Sequence, residues 1–552
     1  MKRVSYLSLC VGLLVGSWGC SQDLTCEGGW CGTLVVVSHA EPEALLPPLA
    51  TWDTHIAIDD LLFWKLADVG PDLNTYGEEG FQPRLAESWE FEDANTLVFK
   101  LNQQARWHDG VPVTAADVTF TYELYLDPAI VYQSRSRLSP IQSVTARDSL
   151  SVVFEFDRSY PEQLFDAVYH MRIMPRHILD TIPPAELATH PIVRHPIGNG
   201  PFKFVRWRAG DAIELAADSS FFGGRPGVRR IVWRFSDDPV NMVSQLVARE
   251  TDFLSFVPGP ENVARVADQD HLRVEEYKIG VYSFVGFNQR NPDNLDQPHP
   301  LFGDRRLRRA LSMALDRQAI TQSVLGEYGE VPVGPVTPVI WIWPDDIDQL
   351  PFDTAAARNE FAEIGWVDSD GDDILDRNGQ PLSFDLIVPT SSTPRMRAAV
   401  IVQEQLRRIG VEMEVVELDP TTWNSRASAG DFNAYFQSLG HDASPGSVGE
   451  MWISAGIGGF NGVRYSNPEF DRLVAEAGAT SDREAARQYW RDAFNIINGD
   501  APAIWLFSPI GVAGVHARLE NVSIPADEWW RHIWKWQVSG SQLIDRDLIA
   551  PN

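Results

Sequence analysis

The densest run of metal-ligating oxygen in the sequence is the loop DSDGDDILDRNG, Asp368 to Gly379, with carboxylates at Asp368, Asp370, Asp372 and Asp376. That spacing can converge several oxygens on one calcium ion. The closing acid of such a loop is missing, Gly379 standing in its place, and the sixth position holds Asp373 rather than glycine. A solvated acidic insertion is the alternative reading. The cysteines at 10, 20, 26 and 31 offer a second chemistry. Cys26 and Cys31 lie in CEGGWC, whose two glycines allow the tight turn that a disulfide needs in an oxidising compartment. A metal site, the alternative, needs more ligands than the neighbouring sequence supplies. His108, in RWHDG, lacks the partners that acid–base chemistry requires and reads as structural. The glycines of HPIGNGPF suggest a phosphate loop, but no Lys-Ser or Lys-Thr and no long helix follow. No G-x-S-x-G elbow, H-E-x-x-H pair, Walker loop or C-x-x-C motif occurs, so the sequence points to a protein that is not an enzyme and requires no cofactor, with structural calcium the one ion in view.

These residues need elements to hold them. TLVVVS, Thr33 to Ser38, reads as a β-branched strand inside a sheet. Asp59 to Val69 reads as an amphipathic helix with Leu62, Leu66 and Val69 on one side. Strands around Ser88 to Phe91 and Leu97 to Leu101 flank a turn at Asp93-Ala94-Asn95, and Thr114 caps a helix from Ala115. Tyr282 to Phe287 reads as a buried strand. Asp304 then caps a helix with Leu307, Ala310, Leu311, Ala314 and Leu315 inward and Arg305, Arg306, Arg308 and Arg309 on the other side. Asp316 caps a second helix that Gly326 ends. Further on, Phe384 to Val388, Arg395 to Arg408 and Val411 to Leu418 make a strand–helix–strand unit of α/β type.

At 552 residues the chain exceeds what one core usually supports. With 44% hydrophobic and 22% charged residues it has the composition of a folded protein. Its net charge of -30 disfavours a nucleic-acid or anionic-membrane partner. At the N-terminus, Lys2 and Arg3 precede an apolar run, Val4 to Val15, too short to span a bilayer, and then a small-residue stretch ending at Cys20. This resembles a bacterial lipoprotein signal, with Cys20 as the lipidated residue and the membrane met through that anchor alone.

Several separated motifs share one likeness. Arg106-Trp107-His108-Asp109-Gly110 with Pro112, Thr114-Ala115 and Asp117-Val118, then Gly198-Asn199-Gly200-Pro201-Phe202, are two of them. Asn288, Pro300-Leu301-Phe302, Asp304 to Leu311 and Ala314-Leu315-Asp316-Arg317 make the third. Together they resemble the extracellular solute-binding proteins of family 5, the dipeptide and oligopeptide receptors of ABC importers. The resemblance implies an α/β, two-lobed periplasmic-binding-protein-like fold of class II, or cluster C, type with a small inserted third lobe. The expected parts are a signal at 1–19, a tether at 20–32, the first lobe at 33–78 and 197–284, the inserted lobe at 79–196, the second lobe at 285–502 and a return to the first lobe at 503–552.

It also implies a function: a monomeric, extracytoplasmic receptor that closes on a short peptide and hands it to the permease subunits of an importer. Receptors for oligosaccharides, nickel chelates or haem resemble the same scaffold. In the family's peptide receptors an aspartate after a second-lobe strand holds the peptide α-amino group, and Asp442 occupies the matching position. Ser444 stands where the family often has a further aspartate, and a turn role for Asp442 is the alternative. Trp423 and Trp452 are the aromatic candidates for side-chain pockets. Trp529, Trp530, Trp534 and Trp536 either pack the tail onto the first lobe or stack on sugars.

Overall fold

Val35, Val36 and Val37 make Thr33–Ser38 a stiff, extended strand, and all six of its residues are buried. It runs parallel to Arg230–Phe235 on one side and to Phe253–Leu254 on the other. Burial on both faces is why it reads as a continuous apolar run rather than an alternating one. The computed structural model describes residues 30–50, 53–132, 134–344 and 346–548, so Cys20 and Cys26 lie outside the described residues. Cys31 is disulfide-bonded.

Three sheets organise the chain. The first has seven strands in the order Leu272–Tyr277, Gly511–His516, Phe253–Leu254, Thr33–Ser38, Arg230–Phe235, Ala212–Ala217 and Phe202–Arg208. The second has six: Gly329–Glu330, Ala503–Pro509, Val281–Phe287, Ala434–Gly440, Ser383–Pro389 and Glu412–Leu418. Within it Ser383–Pro389 and Glu412–Leu418 pair in parallel around the helix Thr393–Arg407, the expected strand–helix–strand unit. The third is a four-stranded antiparallel sheet of Ala86–Asp93, Thr96–Leu101, Ser151–Phe156 and Ile141–Ala146. The helix Ala115–Leu126 accompanies it, begun by a reciprocal Thr114 and Asp117 capping box.

The cores decide which parts move together. One continuous cluster joins first-sheet residues such as Leu34 and Trp233 to inserted-lobe residues such as Phe99 and Phe154 and to Trp536 of the tail. Each large side chain buried in it contributes about 1.5–3 kcal/mol, so the inserted lobe and the first lobe are one body. The second sheet has its own two clusters, one around Phe302 and Leu386 and the other around Phe284, Trp452 and Trp490. Packed interiors transmit motion as units, and the weak seam lies between these cores.

Two local expectations are corrected. The helix expected at Asp59 to Val69 runs instead from Asp53 to Leu62. The Gly198-Asn199-Gly200 loop ends it: the Asn199 and Gly200 N–H groups both donate to the Leu62 carbonyl, at 2.9 and 2.8 Å. A Cβ at Gly198 would lie 1.9 Å from that same oxygen, so only glycine fits. Arg308, expected on the polar face with its neighbours, is 4% exposed. Its guanidinium donates to the Phe302, Asp500 and Ala501 carbonyls, satisfying the C-terminal end of the helix Arg483–Asp500.

Candidate functional site

The chain crosses between the two large sheets through short connections. Leu272–Tyr277 of the first sheet passes through Lys278, Ile279 and Gly280 into Val281–Phe287 of the second. Ala503–Pro509 of the second returns through Ile510 into Gly511–His516 of the first. The lobe changes therefore fall before and after the expected positions at 284/285 and 502/503. Tyr282, Phe284 and Trp505 are core residues of the second lobe, which holds their strands there. Two short crossings side by side form a hinge. At Gly280 a Cβ would meet the His441 carbonyl at 2.7 Å, and the His441 N–H donates to the Gly280 carbonyl at 2.9 Å.

Above this hinge the lobes enclose a cavity of about 580 Å³. Ile279, Gly280, Val281, Gly440, His441 and Asp442 form its second-lobe wall. Asp53 and Ile56 of the first lobe, Tyr169, His170 and Arg172 of the inserted lobe, and Trp529 and Trp530 of the tail face them. A smaller chamber of about 180 Å³ continues on the other side of Asp442, beside Arg137 and Glu450. The volume suits a small organic ligand, and the lining mixes aromatic surface with a few fixed polar groups.

Beside the smaller chamber the lobes touch directly. Ser444, fully buried, donates from Oγ to Glu162 Oε2 at 2.8 Å, and Thr75 donates to Glu162 Oε1 at 2.6 Å. Arg137 Nη2 lies 3.3 Å from Ser444 Oγ, and Arg137 Nε lies 3.5 Å from Glu450. Tyr76 donates to the Ala477 carbonyl at 2.8 Å and meets Trp341 edge-on, with centroids 4.7 Å apart. Burial pushes the Glu162 carboxyl up to about 7, Arg137 opposing and Asp166 adding to it. The same burial, with the Arg137 charge, lowers His170 to about 3, so that ring is neutral.

Behind the cavity lies a matched ionic layer. Arg172 donates to both oxygens of Asp60, at 2.7 and 3.1 Å, and Lys65 Nζ lies 2.7 Å from Glu528. Burial would raise Glu528, but Lys65, Arg531 and Arg172 hold it below the usual carboxylate range. Trp530 donates from Nε1 to Asp60 at 2.6 Å. The aromatic tail thus packs onto the first lobe, one of the two uses the sequence left open to it. Trp529 and Trp536 pack on Phe253, with centroids 5.2 and 4.8 Å away, while Trp529 and Trp530 also reach the cavity wall.

The sequence-derived site residues separate into three groups. Asp442 lies on the cavity wall, its Oδ1 accepting the Ser444 N–H at 2.8 Å, so it shapes the turn from its place in the cleft. Trp423 and Trp452 are corrected: both are core. Trp423, 5% exposed, stacks on Tyr435 with centroids 5.9 Å apart. Trp452, 1% exposed, packs between Phe284 and Trp505 and donates from Nε1 to Tyr282 at 3.0 Å. Of the acidic loop, Asp368, Asp370 and Asp372 bring one oxygen each within 4.8 Å of one another. Asp376 stands apart from that group, its Oδ2 accepting from the Ser369 N–H and hydroxyl at 2.9 and 2.6 Å. Asp373 adopts φ 69° at the position where such loops turn on glycine. His108 is structural, its ring meeting the Gly200 carbonyl at 3.0 Å and accepting the Gly198 N–H at 3.1 Å.

Asp53, Arg137, Glu162 and Arg172 carry no sequence signal of their own. Each is an ordinary polar residue in its local pattern, and only the packing of the first and inserted lobes against the second brings them to the cleft and its edge.

Residues 80–458 match the bacterial extracellular solute-binding proteins, family 5 middle region. The chain is 30% identical over 522 residues, 92% of each chain, to the oligopeptide-binding protein AppA of Bacillus subtilis. It superposes on the structure of AppA in complex with a nonapeptide with a TM-score of 0.78 at 29% identity, covering 92% of this chain and 99% of that one. It is also 25% identical, over 81% of this chain and 82% of the relative, to heme-binding protein A of Haemophilus influenzae. With the two-lobed fold, the paired crossings and a family match over more than half its length, this chain belongs to the bacterial extracellular solute-binding proteins of family 5.

Proposed function

We propose that this protein is the extracytoplasmic receptor of an ABC importer that captures short peptides between its lobes, closes on them by hinge motion and delivers them to the permease. The observation that carries this reading is the cavity above the hinge, with Asp442 on its second-lobe wall and aromatic residues on the opposite one. A peptide offers such a cleft a cationic amine for the carboxylate and apolar side chains for the aromatic walls. Ligand contact with both walls stabilises the closed state by its differential affinity, which is how a binding protein reports occupancy. The family is one of solute binders rather than catalysts. The likeness to AppA, solved with a nonapeptide, supports a peptide as the solute. Lipidation at Cys20 would tether the receptor to the membrane, and a Cys26–Cys31 bridge would stiffen the tether.

A thermal-shift screen of the chain from Ser21 onward tests the reading, with di- to nonapeptides, oligosaccharides, haem and nickel–histidine as arms. A ligand at a hundredfold its dissociation constant adds about 2.7 kcal/mol of stability and raises the melting temperature visibly. Peptides are expected to do so, and Asp442→Ala to lose most of the shift. A shift from haem, sugar or nickel chelate alone would replace the peptide reading.

A further inference from the structure

The walls of the cavity carry charges that are nearly all answered. Arg172 is committed to Asp60 and lies 3.5 Å from Glu528, Glu528 pairs with Lys65, and Asp527 pairs with Arg531. His170 is neutral, and Asp442 has Arg137 as its countercharge. Asp53 is the exception. It opens the helix Asp53–Leu62, lines the cavity and has no hydrogen-bond or ion-pair partner among the described residues.

Its surroundings fit a cation. The carboxyl group is open to the cleft yet flanked by the cleft walls, which raise it above its ordinary value with no charge opposing. Tyr277, whose hydroxyl donates to the Ser255 carbonyl at 2.7 Å, stands close enough to feel its charge. Tyr132, Tyr169, Phe256 and Trp529 supply further aromatic surface to the same cavity. Aromatic faces attract cations, and a carboxylate in a partly desolvated site bonds them with charge assistance. Arg172, the one permanently cationic side chain on this wall among the described residues, already has two carboxylate partners, so no described side chain supplies the missing charge.

We infer that Asp53 is a specificity-determining residue that receives a cationic ligand side chain, so that this cleft selects peptides containing lysine or arginine. The inference rests on the peptide reading above. It differs from anchoring of the peptide amine at Asp442, because Asp53 stands on the first-lobe wall and reads a side chain. Helix geometry alone gives Asp53 a structural use, as an acid at a helix N-terminus. That use has no bearing on which peptide binds.

The test is calorimetric titration of the chain from Ser21 onward with matched pairs of unblocked tri- to pentapeptides, carrying lysine or norleucine at each position in turn. At one position lysine is expected to bind about tenfold or more tightly than norleucine at low salt, less so at high salt. Asp53→Asn is expected to bring that ratio close to one, and Asp53→Glu to keep it. Melting curves without ligand establish that both variants are folded. Equal binding of lysine and norleucine at every position, or a preference that survives Asp53→Asn, overturns the inference while leaving the peptide reading standing. If no peptide binds and haem or a sugar does, both fall together.

Discussion

Replacing Ser444 by alanine removes one hydroxyl with two separable contributions. The hydroxyl accepts the Gly446 N–H at 3.0 Å and caps the helix Pro445–Glu450, and across the gap between lobes it donates to Glu162 and accepts from Arg137 at 3.3 Å. The cap exists in open and closed states alike, so its loss, about 1 kcal/mol, lowers the melting temperature and cancels from the closing equilibrium. The bond to Glu162 exists only when the lobes meet. A hydrogen bond to a carboxylate contributes about 1.5–3 kcal/mol, which converts to a dissociation constant roughly ten- to a hundredfold weaker. Titration calorimetry with the tightest ligand from the screen reads the second effect, and scattering with and without ligand reads closure. The same contact makes affinity pH-dependent. Burial on closing raises Glu162 from its ordinary 4.5 to about 7, so the closed state binds a proton more tightly than the open one. That contribution is fully present below 4.5 and is lost as pH rises through about 7, so affinity should fall over this interval. Glu162→Gln should flatten the profile in part, because Asp166, raised to about 6 in the same cluster, still titrates. Arg137 and Thr75 also face the group and do not reverse the sign, and Asp442 and Glu450 act on Arg137. Unchanged affinity in Ser444→Ala at neutral pH, within twofold of the parent, would refute the latch.

Arg518, 1% exposed, bonds both oxygens of Asp252 at 2.8 and 2.9 Å and Asp547 at 2.6 Å, fastening the C-terminal tail to the first sheet. Arg518→Ala takes the guanidinium from buried Asp547 and leaves Asp252 with Arg546, and should cost about 3–5 kcal/mol; chemical denaturation of the variant beside the parent checks it. If the acidic loop holds calcium, the ion should raise the melting temperature, a chelator should reverse the rise, and Asp370→Asn with Asp372→Asn should abolish it. A melt indifferent to calcium would leave Asp368, Asp370 and Asp372 as a solvated loop.

Much of the frame was legible in the chain. Thr33–Ser38 is a strand because β-branched residues leave few other conformations, and Asp304 and Asp316 begin helices because their carboxylates accept the Arg306 and Ala319 N–H groups. These are short-range effects, complete within a few residues. The helix ending at Leu62 was not legible, since its stop is a loop about 135 residues later, and neither was the burial of Arg308, whose acceptors belong to the end of another helix. Trp423 and Trp452 show the same limit from the other side. An indole is equally apt for a core or a ligand wall, and only neighbours such as Tyr435 and Phe284 decide which.

For the site the division is sharper. The sequence by itself determined the family motifs, the two-lobed α/β plan and the position of Asp442, because these depend on local pattern and the order of elements. Tertiary structure alone decided where the chain crosses between lobes, that Glu162 meets Ser444, and that Asp53 stands in the cleft without a partner among the described residues. The physical reason is that a charge's environment is set by what surrounds it in space. A carboxylate is paired or unanswered according to groups that lie hundreds of residues away along the chain.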